Sequence, residues 1–320
     1  MAGKRKIVRV CAEIELTFDG AMRDFMFRKK AAGLSVSTIA AYESNLKPFH
    51  RFLKERGIES VGAFTKRNFD QFRLWLQQPQ WSATTVNTYL RHTRVFLYAI
   101  MAEKGMEHFS ICLNRQEERV MPTYTEEEIR RLIKAPDMRK LEFGEYRNWV
   151  MVNYFLETGN RLNTVINLKV GDVDLDNRLV LLTTNKNRKQ HIVPITNTVA
   201  LILRKYIKDC DLQADDYLFP NQAREKMKPD SVKHAIARYN KGRGVEMTSI
   251  HAFRHTFARN FILSGGDAFR LQQHLGHSSL AMTQHYVALF GTDLKKDFEA
   301  RSLIEKLTPK KVTVNPKRAS

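Results

Sequence analysis

Apolar side chains recur every three or four residues in four stretches of the first third of the chain. This spacing is typical of amphipathic helices, which bury one face. The pattern predicts four helices, over about residues 18–32, 37–56, 65–77 and 82–104. Gly33 and Gly57 end the first two helices. Pro48 lies inside the second, so we expect a kink or break there. This part of the sequence has no strand pattern, and it therefore predicts a small helical bundle.

The rest of the chain mixes helical and strand-like patterns. Two short apolar runs, 179–183 and 192–195, flank the polar loop 184–191, which is the pattern of a β-hairpin. The sequence Thr125-Glu126-Glu127-Glu128 is a capping box that starts a helix. Further helical patterns cover about residues 145–159, 196–209, 230–240 and 294–307. The predicted fold class is therefore mainly α, with a small β-sheet or hairpin in the C-terminal part.

A polar stretch separates the two parts. Residues 116–123 (QEERVMPT) contain Pro122 and lack an apolar period, so they are predicted to be a linker. A chain of 320 residues is long enough for about two domains, each with its own core. The predicted organisation is a basic N-terminal arm, a helical domain, the linker and a larger C-terminal domain, at residues 1–11, 12–115, 116–123 and 124–320.

The net charge is the feature of the composition that says most about the partners of the protein. The formal net charge is +19, which favours polyanionic partners such as nucleic acid. The sequence has no apolar run of 18 residues, and its basic N-terminus lacks the apolar core of a secretory signal, so we expect no membrane association. Cys11, Cys112 and Cys210 lie far apart, which suits a reducing cytoplasm and argues against a disulfide framework or a cysteine zinc site.

The residues that point to chemistry lie between 249 and 288. His251 and Arg254 are three residues apart and share one face of a predicted helix. Leu275-Gly276-His277 follows, and Tyr286 lies nine residues after His277. Arginine suits phosphate oxygens, and histidine exchanges protons near neutral pH. Tyrosine is a weak nucleophile unless a base and fixed positive charge assist it. Together these residues predict phosphoryl transfer through a phosphotyrosine.

These motifs resemble those of the tyrosine recombinases, the phage-integrase superfamily. That family carries a T-G-x-R turn, a lysine in a β-hairpin, H-x-x-R, L-G-H and a nucleophilic tyrosine. The matching positions occur here in the family's order, and the resemblance covers about residues 12–305. They are Thr158-Gly159-Asn160-Arg161, Lys186, His251-Ala252-Phe253-Arg254, Leu275-Gly276-His277 and Tyr286. The family commonly has an acidic residue three positions after the first arginine, where this chain has Thr164.

The resemblance implies a two-domain clamp and a DNA-cleaving and -rejoining activity that needs no metal or other cofactor. In that mechanism, Tyr286 forms a 3′-phosphotyrosyl link, and Arg161 and Arg254 stabilise the phosphate. His251 accepts the proton of Tyr286 and contacts the phosphate. Lys186 protonates the leaving oxygen, with Arg188 and Lys189 as rivals if the hairpin register shifts. The remaining member, His277, would donate a hydrogen bond to the phosphate.

The implied partner is double-stranded DNA. The helical domain corresponds to the family's SAM-like core-binding domain, and the last predicted helix either packs on its own domain or docks into a neighbour in a homotetramer. Accessory DNA-bending or directionality proteins are further expected partners. No arm-binding domain precedes the bundle, so we expect recognition of core sites only. The predicted DNA-contacting residues, for which a solvated surface is the alternative, are Thr84, Thr85, Asn87, Arg91, Arg94, Arg188, Lys189, Lys233 and Arg238.

The sequence says less about the biological role than about the chemistry. Integration or excision of a mobile element is the first prediction, and Xer-like resolution of chromosome or plasmid dimers is the second. A type IB topoisomerase shares the chemistry but usually differs at the position of His277. A metal-dependent hydrolase and a non-enzymatic DNA-binding regulator are further alternatives. The chain has no H-E-x-x-H pattern that would support the hydrolase, and a regulator would not explain the filled catalytic set.

Overall fold

In the computed structural model the chain forms two compact units, residues 1–118 and 119–320. The structure describes residues 16–103, 106–115, 121–137, 142–182 and 191–276, together with Thr283 and Tyr286. Residues 116–120 of the proposed linker lie outside this set, and the linker boundaries stay a prediction. Among the described helices, none is long and apolar enough to cross a membrane.

The first unit is the predicted helical bundle. Its described helices are α1 (Phe18–Ala31), α2 (Val36–Glu55), α3 (Lys66–Trp75) and α4 (Ala83–Ala102). The side chains of Thr17, Ser35 and Ser82 cap α1, α2 and α4, because each accepts a hydrogen bond from a backbone N–H of the first turn. A cluster of buried phenylalanine rings in edge-to-face contact forms the core; it includes Phe18, Phe49, Phe64, Phe72 and Phe96.

The expected break at Pro48 does not occur, and α2 runs through it as one helix. Proline removes the hydrogen bond to the carbonyl four residues earlier, which here belongs to Ser44. Ser44 is exposed, so water can satisfy that carbonyl. Buried Leu46, Phe49 and Phe52 continue the apolar face on both sides of the proline. The packing of this face therefore outweighs the local cost of the proline.

The second unit combines helices with one small sheet. Its described helices are α5 (Glu126–Ile133), α6 (Phe143–Thr158), α7 (Leu162–Val165), α8 (Asn197–Asp209), α9 (Pro229–Gly242), α10 (Ile250–Leu263) and α11 (Ala268–Leu275). The strands β1 (Val173–Asp174), β2 (Leu179–Leu182) and β3 (His191–Pro194) form an antiparallel sheet in the order β1-β2-β3. The predicted fold class is confirmed. The Thr125 capping box is also present, because its side chain and that of Glu128 each bind the other residue's backbone N–H.

Helix α6 lies at the centre of this unit and packs against α8, α9 and α10. The segment that enters α5 is fixed to α10 at Tyr124. The backbone N–H of Tyr124 donates to Thr256 Oγ1 at 2.8 Å, and its ring stacks on Phe253 with the centroids 4.6 Å apart. The segment before α5 is thereby fixed to the middle of α10.

Candidate active site

The first element of the site is the turn that ends α6. Gly159 has a left-handed φ of 58°, and its N–H closes the helix on the carbonyl of Phe155 at 2.9 Å. A Cβ at this position would lie 2.9 Å from the Phe257 ring and 3.1 Å from Leu275. Glycine is therefore needed both for the turn and for the approach of α10 and α11. The turn leads directly to Arg161, which is half-buried at the start of α7.

Arg254 joins three segments of the site. It lies on α10 and is 6% exposed. Its Nη1 donates to the carbonyl of Gly159 at 2.9 Å, and its Nη2 donates to the carbonyl of Leu275 at 3.0 Å. Burial, followed by the charge of Arg161, lowers the pKa of Arg254 to about 10. The guanidinium therefore stays charged at neutral pH while its orientation is fixed by two backbone carbonyls.

Thr164 occupies the position where the family commonly has a carboxylate. It is buried and contributes no charge. Arg254 is held by the carbonyl dipoles of Gly159 and Leu275. These carbonyls supply an orienting contact without neutralising the guanidinium.

His274 connects α11 to the same turn. Its Nε2 donates to the carbonyl of Thr158 at 3.1 Å, and its ring stacks on Phe257 with the centroids 4.6 Å apart. The Nε2 of His191, at the start of β3, donates to the carbonyl of His274 at 2.9 Å. One end of the polar hairpin loop is therefore held against α11, just before the L-G-H motif.

The buried imidazole of His274 should make stability depend on pH. Desolvation lowers its pKa to about 4, below the ordinary value of 6.5. The unfolded chain binds a proton at this residue as the pH falls below about 6.5, whereas the folded chain does not until about pH 4. The contribution of His274 to stability is therefore full above pH 6.5 and is lost as the pH falls towards 4, by on the order of 1–3 kcal/mol.

Urea unfolding at several pH values between 4 and 7 measures this effect. The matched variant is His274→Gln, whose amide can still donate to Thr158 but does not titrate. Its free energy of unfolding should fall less steeply with decreasing pH than that of the wild type. Parallel curves for the two proteins would contradict the prediction.

Tyr286 lies against α10 and α11. It is 4% exposed and packs with Ala258, Leu271 and Leu275. Its Oη lies 3.0 Å from Nδ1 of His255, and it also forms a hydrogen bond with Arg254. Burial raises the pKa of Tyr286, whereas the charges of Arg254 and Arg161 lower it. The structure thus brings Tyr286 together with both predicted arginines.

The role predicted for His251, to accept the proton of Tyr286 and to contact the phosphate, stays a prediction. The structure places the imidazole of His255 within hydrogen-bond distance of the Tyr286 hydroxyl. His251 lies one helical turn before His255 on α10, and its side chain is exposed. The ring centroids of the two histidines are 6.2 Å apart. Partial burial and the charges of Arg254 and Arg161 lower the pKa of His251. Its surroundings suit a contact to phosphate.

His255 was not among the predicted site residues, although the structure places it beside Tyr286. A signal was present, because His255 directly follows Arg254 and lies four residues after His251, on the same side of a helix. Four other predicted site residues lie outside the described residues: Lys186, Arg188, Lys189 and His277. Within the described part of the chain, no group of three histidine, cysteine or acidic side chains is arranged to hold a metal ion.

The predicted DNA-contacting residues divide into two groups. Thr84, Arg91, Lys233 and Arg238 are exposed, and Thr85 and Arg94 are half-buried. These six stay predictions. The Thr85 hydroxyl already lies 2.9 Å from that of Ser82 in the cap of α4, and the Lys233 amine pairs with Asp230 at 2.8 Å.

Asn87 does not belong with these residues. It is 2% exposed, and its amide binds the backbone of Asn114 in both directions. Nδ2 donates to the Asn114 carbonyl at 2.8 Å, and Oδ1 accepts from the Asn114 N–H at 3.0 Å. The prediction that Asn87 contacts DNA is contradicted, because its side chain is buried and fixes the segment after α4.

Replacing Asn87 with alanine should therefore destabilise the first unit. Two backbone groups of Asn114 would lose their partner, at a cost of about 1–3 kcal/mol in the free energy of unfolding. Arg91→Ala is the control from the exposed side of α4, and we expect it to leave stability unchanged while weakening DNA binding. Chemical denaturation and DNA titration of both variants measure the two effects. An Asn87→Ala protein of unchanged stability but weakened DNA binding would restore the original prediction.

Comparison with known proteins identifies the family of this chain. The phage integrase family model matches residues 122–292, and the model of the phage integrase N-terminal SAM-like domain matches residues 21–105. Tyrosine recombinase XerA of Thermococcus kodakarensis is 34% identical over 57% of this chain and 64% of its own length. A tyrosine recombinase of Pseudothermotoga lettingae is 28% identical over 79% of this chain and 88% of its own length.

Solved structures share the fold. The λ integrase tetramer bound to a Holliday junction matches with a TM-score of 0.67 and 15% identity, over 86% of this chain and 78% of that chain. The Tn1549 transposon integrase in complex with a circular intermediate DNA matches with a TM-score of 0.66 and 19% identity. The match covers 88% of this chain and 99% of the integrase chain. The chain therefore belongs to the phage integrase family. It is a site-specific tyrosine recombinase, which confirms the principal prediction from the sequence.

Proposed function

We propose that Tyr286 attacks a scissile phosphodiester of double-stranded DNA and forms a 3′-phosphotyrosyl bond, freeing a 5′ hydroxyl. The observation that carries this assignment is the position of the Tyr286 hydroxyl. It is hydrogen-bonded to the imidazole of His255, and the positive charges of Arg254 and Arg161 lower its pKa. A phenol becomes a useful nucleophile in such surroundings, because a base can take its proton and fixed positive charge stabilises the transition state.

Arg161 and Arg254 are proposed to bind the non-bridging phosphate oxygens. Arg254 has its orientation fixed by two carbonyls, and Arg161 follows a sterically constrained turn. Preorganised donors of this kind stabilise developing charge without rearranging during the reaction. His251, exposed and beside both arginines, is proposed as a third phosphate contact.

Lys186 and His277 complete the proposed site on the strength of their motif positions. Lys186 would protonate the leaving 5′ oxygen, and His277 would donate a hydrogen bond to the phosphate. The bond from His191 to the carbonyl of His274 supports this arrangement, because it links a flank of the Lys186 loop to the helix that precedes His277. No metal or cofactor is needed for any of these steps.

Covalent trapping tests the proposed chemistry. A nicked substrate is prepared from the DNA that flanks the gene, so that the short strand after cleavage diffuses away and the reaction cannot reverse. With EDTA present, we expect a denaturation-resistant protein–DNA adduct. Mass spectrometry of the digested adduct should locate the DNA on Tyr286. Tight binding of the same DNA without any adduct would contradict the proposal.

The exposed basic residues suggest how DNA is held. We propose that Thr84, Thr85, Arg91 and Arg94 on α4, and Lys233 and Arg238 on α9, contact the core site, mostly through phosphates. We propose the same kind of DNA contact for Arg188 and Lys189, because the sequence places both in the hairpin loop. We also propose a homotetramer on DNA, joined by the segment after Tyr286, with accessory DNA-bending or directionality proteins as further partners. A cytoplasmic location stays a prediction.

The proposed biological task is integration or excision of a mobile element. The shared fold of the Tn1549 transposon integrase is compatible with it. The names of the Xer relatives favour the second candidate, resolution of chromosome or plasmid dimers. Recombination assays on plasmids distinguish the two. Integration or excision predicts exchange between the DNA segments that flank the element carrying the gene. Dimer resolution predicts exchange at a single chromosomal or plasmid site.

A further inference from the structure

The C-terminal ends of α6 and α11 lie beside each other in the candidate active site. Each helix ends in a glycine with a left-handed φ, Gly159 at 58° and Gly276 at 61°. The last carbonyls of a helix have no partner within the helix and have to bind other groups. At the end of α6, side chains from α10 and α11 supply the donors. The carbonyl of Thr158 accepts from His274 at 3.1 Å, and that of Gly159 accepts from Arg254 at 2.9 Å.

The end of α11 is held in the same way. The carbonyl of His274 accepts from Nε2 of His191 at 2.9 Å, and that of Leu275 accepts from Arg254 at 3.0 Å. The backbone of His274 is therefore bound to β3, while its side chain is bound to α6. Arg254 forms a second link between the two helix ends. The two links use neighbouring carbonyls of each helix, so together they define how the ends of α6 and α11 are placed.

These links fix the turn that presents Arg161. Each of the three residues before Arg161 is held by a separate partner. The carbonyls of Thr158 and Gly159 are bound by α11 and α10. The buried side chain of Asn160 donates from Nδ2 to the hydroxyl of Tyr154 at 3.0 Å. The backbone at Arg161 is therefore placed by a turn in which three successive residues are anchored.

Charge repulsion acts on this turn. The charge of Arg161 adds to the effect of burial in lowering the pKa of Arg254, which shows that the two guanidinium groups interact. Two like charges repel each other until a phosphate binds between them. Arg254 is held by two carbonyls, so the repulsion favours displacement of Arg161 and its turn. The hydrogen bond from His274 to Thr158 opposes that displacement.

The imidazole of His274 provides this bond without a further positive charge. Burial, together with the charges of His191 and Arg254, lowers its pKa to about 4. The ring is therefore neutral at neutral pH. Since a carbonyl oxygen can only accept, the proton of the neutral ring lies on Nε2, the atom that faces Thr158. The stack of the ring on Phe257 holds it in this orientation.

We propose that His274 is a positioning residue for DNA cleavage: through its hydrogen bond to Thr158 it fixes the turn from which Arg161 binds the scissile phosphate. His274 acts through Arg161 and does not itself take part in the chemistry. This inference rests on the proposed role of Arg161. A displacement of about 1 Å at a catalytic group can lower a rate by about 10²-fold, so loss of this bond should lower the cleavage rate.

Two substitutions of His274 separate the hydrogen bond from the packing. His274→Phe keeps an aromatic ring against Phe257 but has no donor for the carbonyl of Thr158. His274→Gln loses the ring but keeps a donor. At saturating DNA, we expect the single-turnover cleavage rate of His274→Phe to fall about 10–10²-fold. The rate of His274→Gln should stay within a few-fold of the wild type, and DNA affinity should change little in both. If His274 only filled space, the order of the two rates would be reversed.

Trp149→Phe is the matched control. It also replaces a ring that donates by a ring that cannot, because Nε1 of Trp149 donates to the carbonyl of Ile133 at 2.9 Å. Trp149 lies in the first half of α6, away from the turn at its end. The control should lose stability to an extent similar to His274→Phe and keep its cleavage rate. Urea unfolding of the variants shows whether the losses of stability match.

A second substrate tests whether the defect arises at Arg161. In a methylphosphonate, a methyl group replaces one non-bridging oxygen of the scissile phosphate and removes its negative charge. A neutral centre depends less on positive charge, so a misplaced Arg161 should cost less. Both isomers of the methylphosphonate are measured, and Arg161→Ala serves as the reference. We expect the loss of rate caused by His274→Phe, relative to the wild type, to be several-fold smaller on the methylphosphonate, as for Arg161→Ala.

Each outcome decides the role of His274. A slow His274→Phe, an active His274→Gln and a smaller defect on the methylphosphonate support the proposal together. A wild-type rate for His274→Phe, or equal losses for the two variants, would overturn it. A defect of the same size on both substrates would also overturn it, since that result indicates a general loss of structure. Absence of an adduct from the wild type, or normal cleavage by Arg161→Ala, would instead refute the proposed chemistry, and the role of His274 with it.

Discussion

Tyr286→Phe should bind its DNA site with unchanged affinity and form no covalent adduct. The substitution removes one oxygen, while the ring continues to pack against Ala258, Leu271 and Leu275. Loss of Oη removes the nucleophile itself, so no arrangement of the arginines can restore the reaction. Trapping on the nicked substrate, together with a binding titration of the same DNA, measures both properties.

Another tyrosine of the same unit provides the control. Tyr239→Phe also removes a buried hydroxyl, one that donates to the carbonyl of Leu132 at 2.7 Å. It should cost some stability, about 1 kcal/mol, and leave adduct formation intact. Cleavage by Tyr286→Phe at a normal rate would refute the assigned nucleophile, whatever the behaviour of the control.

Arg254→Ala should have the next largest effect, on catalysis and stability together. Loss of one preorganised donor to a developing oxyanion typically lowers the rate by about 10²–10³-fold. The same change removes the donors to the carbonyls of Gly159 and Leu275, which are otherwise buried in the site. We therefore also expect the free energy of unfolding to fall by about 1–3 kcal/mol per unpaired group.

Arg254→Lys separates these two effects. Lysine keeps a positive charge but lacks the planar fork that donates to two carbonyls at once. It should recover part of the stability and little of the rate. The cleavage rate at saturating DNA and the urea midpoint are the two measurements. An Arg254→Lys enzyme with the wild-type rate would mean that charge alone, without the fixed geometry, suffices for cleavage.

The helices were predictable because their signals are local. Caps such as Ser35 and Ser82 and the apolar spacing of each stretch are properties of neighbouring residues. Pro48 misled the prediction because its cost depends on whether the Ser44 carbonyl can reach water, which is a property of the fold. The boundaries of α6 and the left-handed turn at Gly159 also followed from local sequence.

The site was only partly predictable for the same reason. The motif spacing pointed to Arg161, Arg254 and Tyr286, which the structure brings together. It could not decide which imidazole of α10 meets the tyrosine, because that depends on how a segment 31 residues after His255 packs against the helix. The wrong prediction for Asn87, in contrast, could have been avoided from the local sequence. This residue lies three residues before buried Leu90, on the same side of α4, so its burial could have been inferred from helical spacing.

The contacts of Arg254 have a consequence for how activity arises during folding. The carbonyls that hold the guanidinium belong to residues 95 positions before it and 21 positions after it in the chain. Neither local helix formation nor partial collapse can assemble this arrangement, since both distant segments must be in place at once. We therefore expect no nicking activity from folding intermediates or from proteolytic fragments that lack α6. Recovery of DNA cleavage during refolding should follow the final cooperative step, which makes cleavage a sensitive measure of the native population.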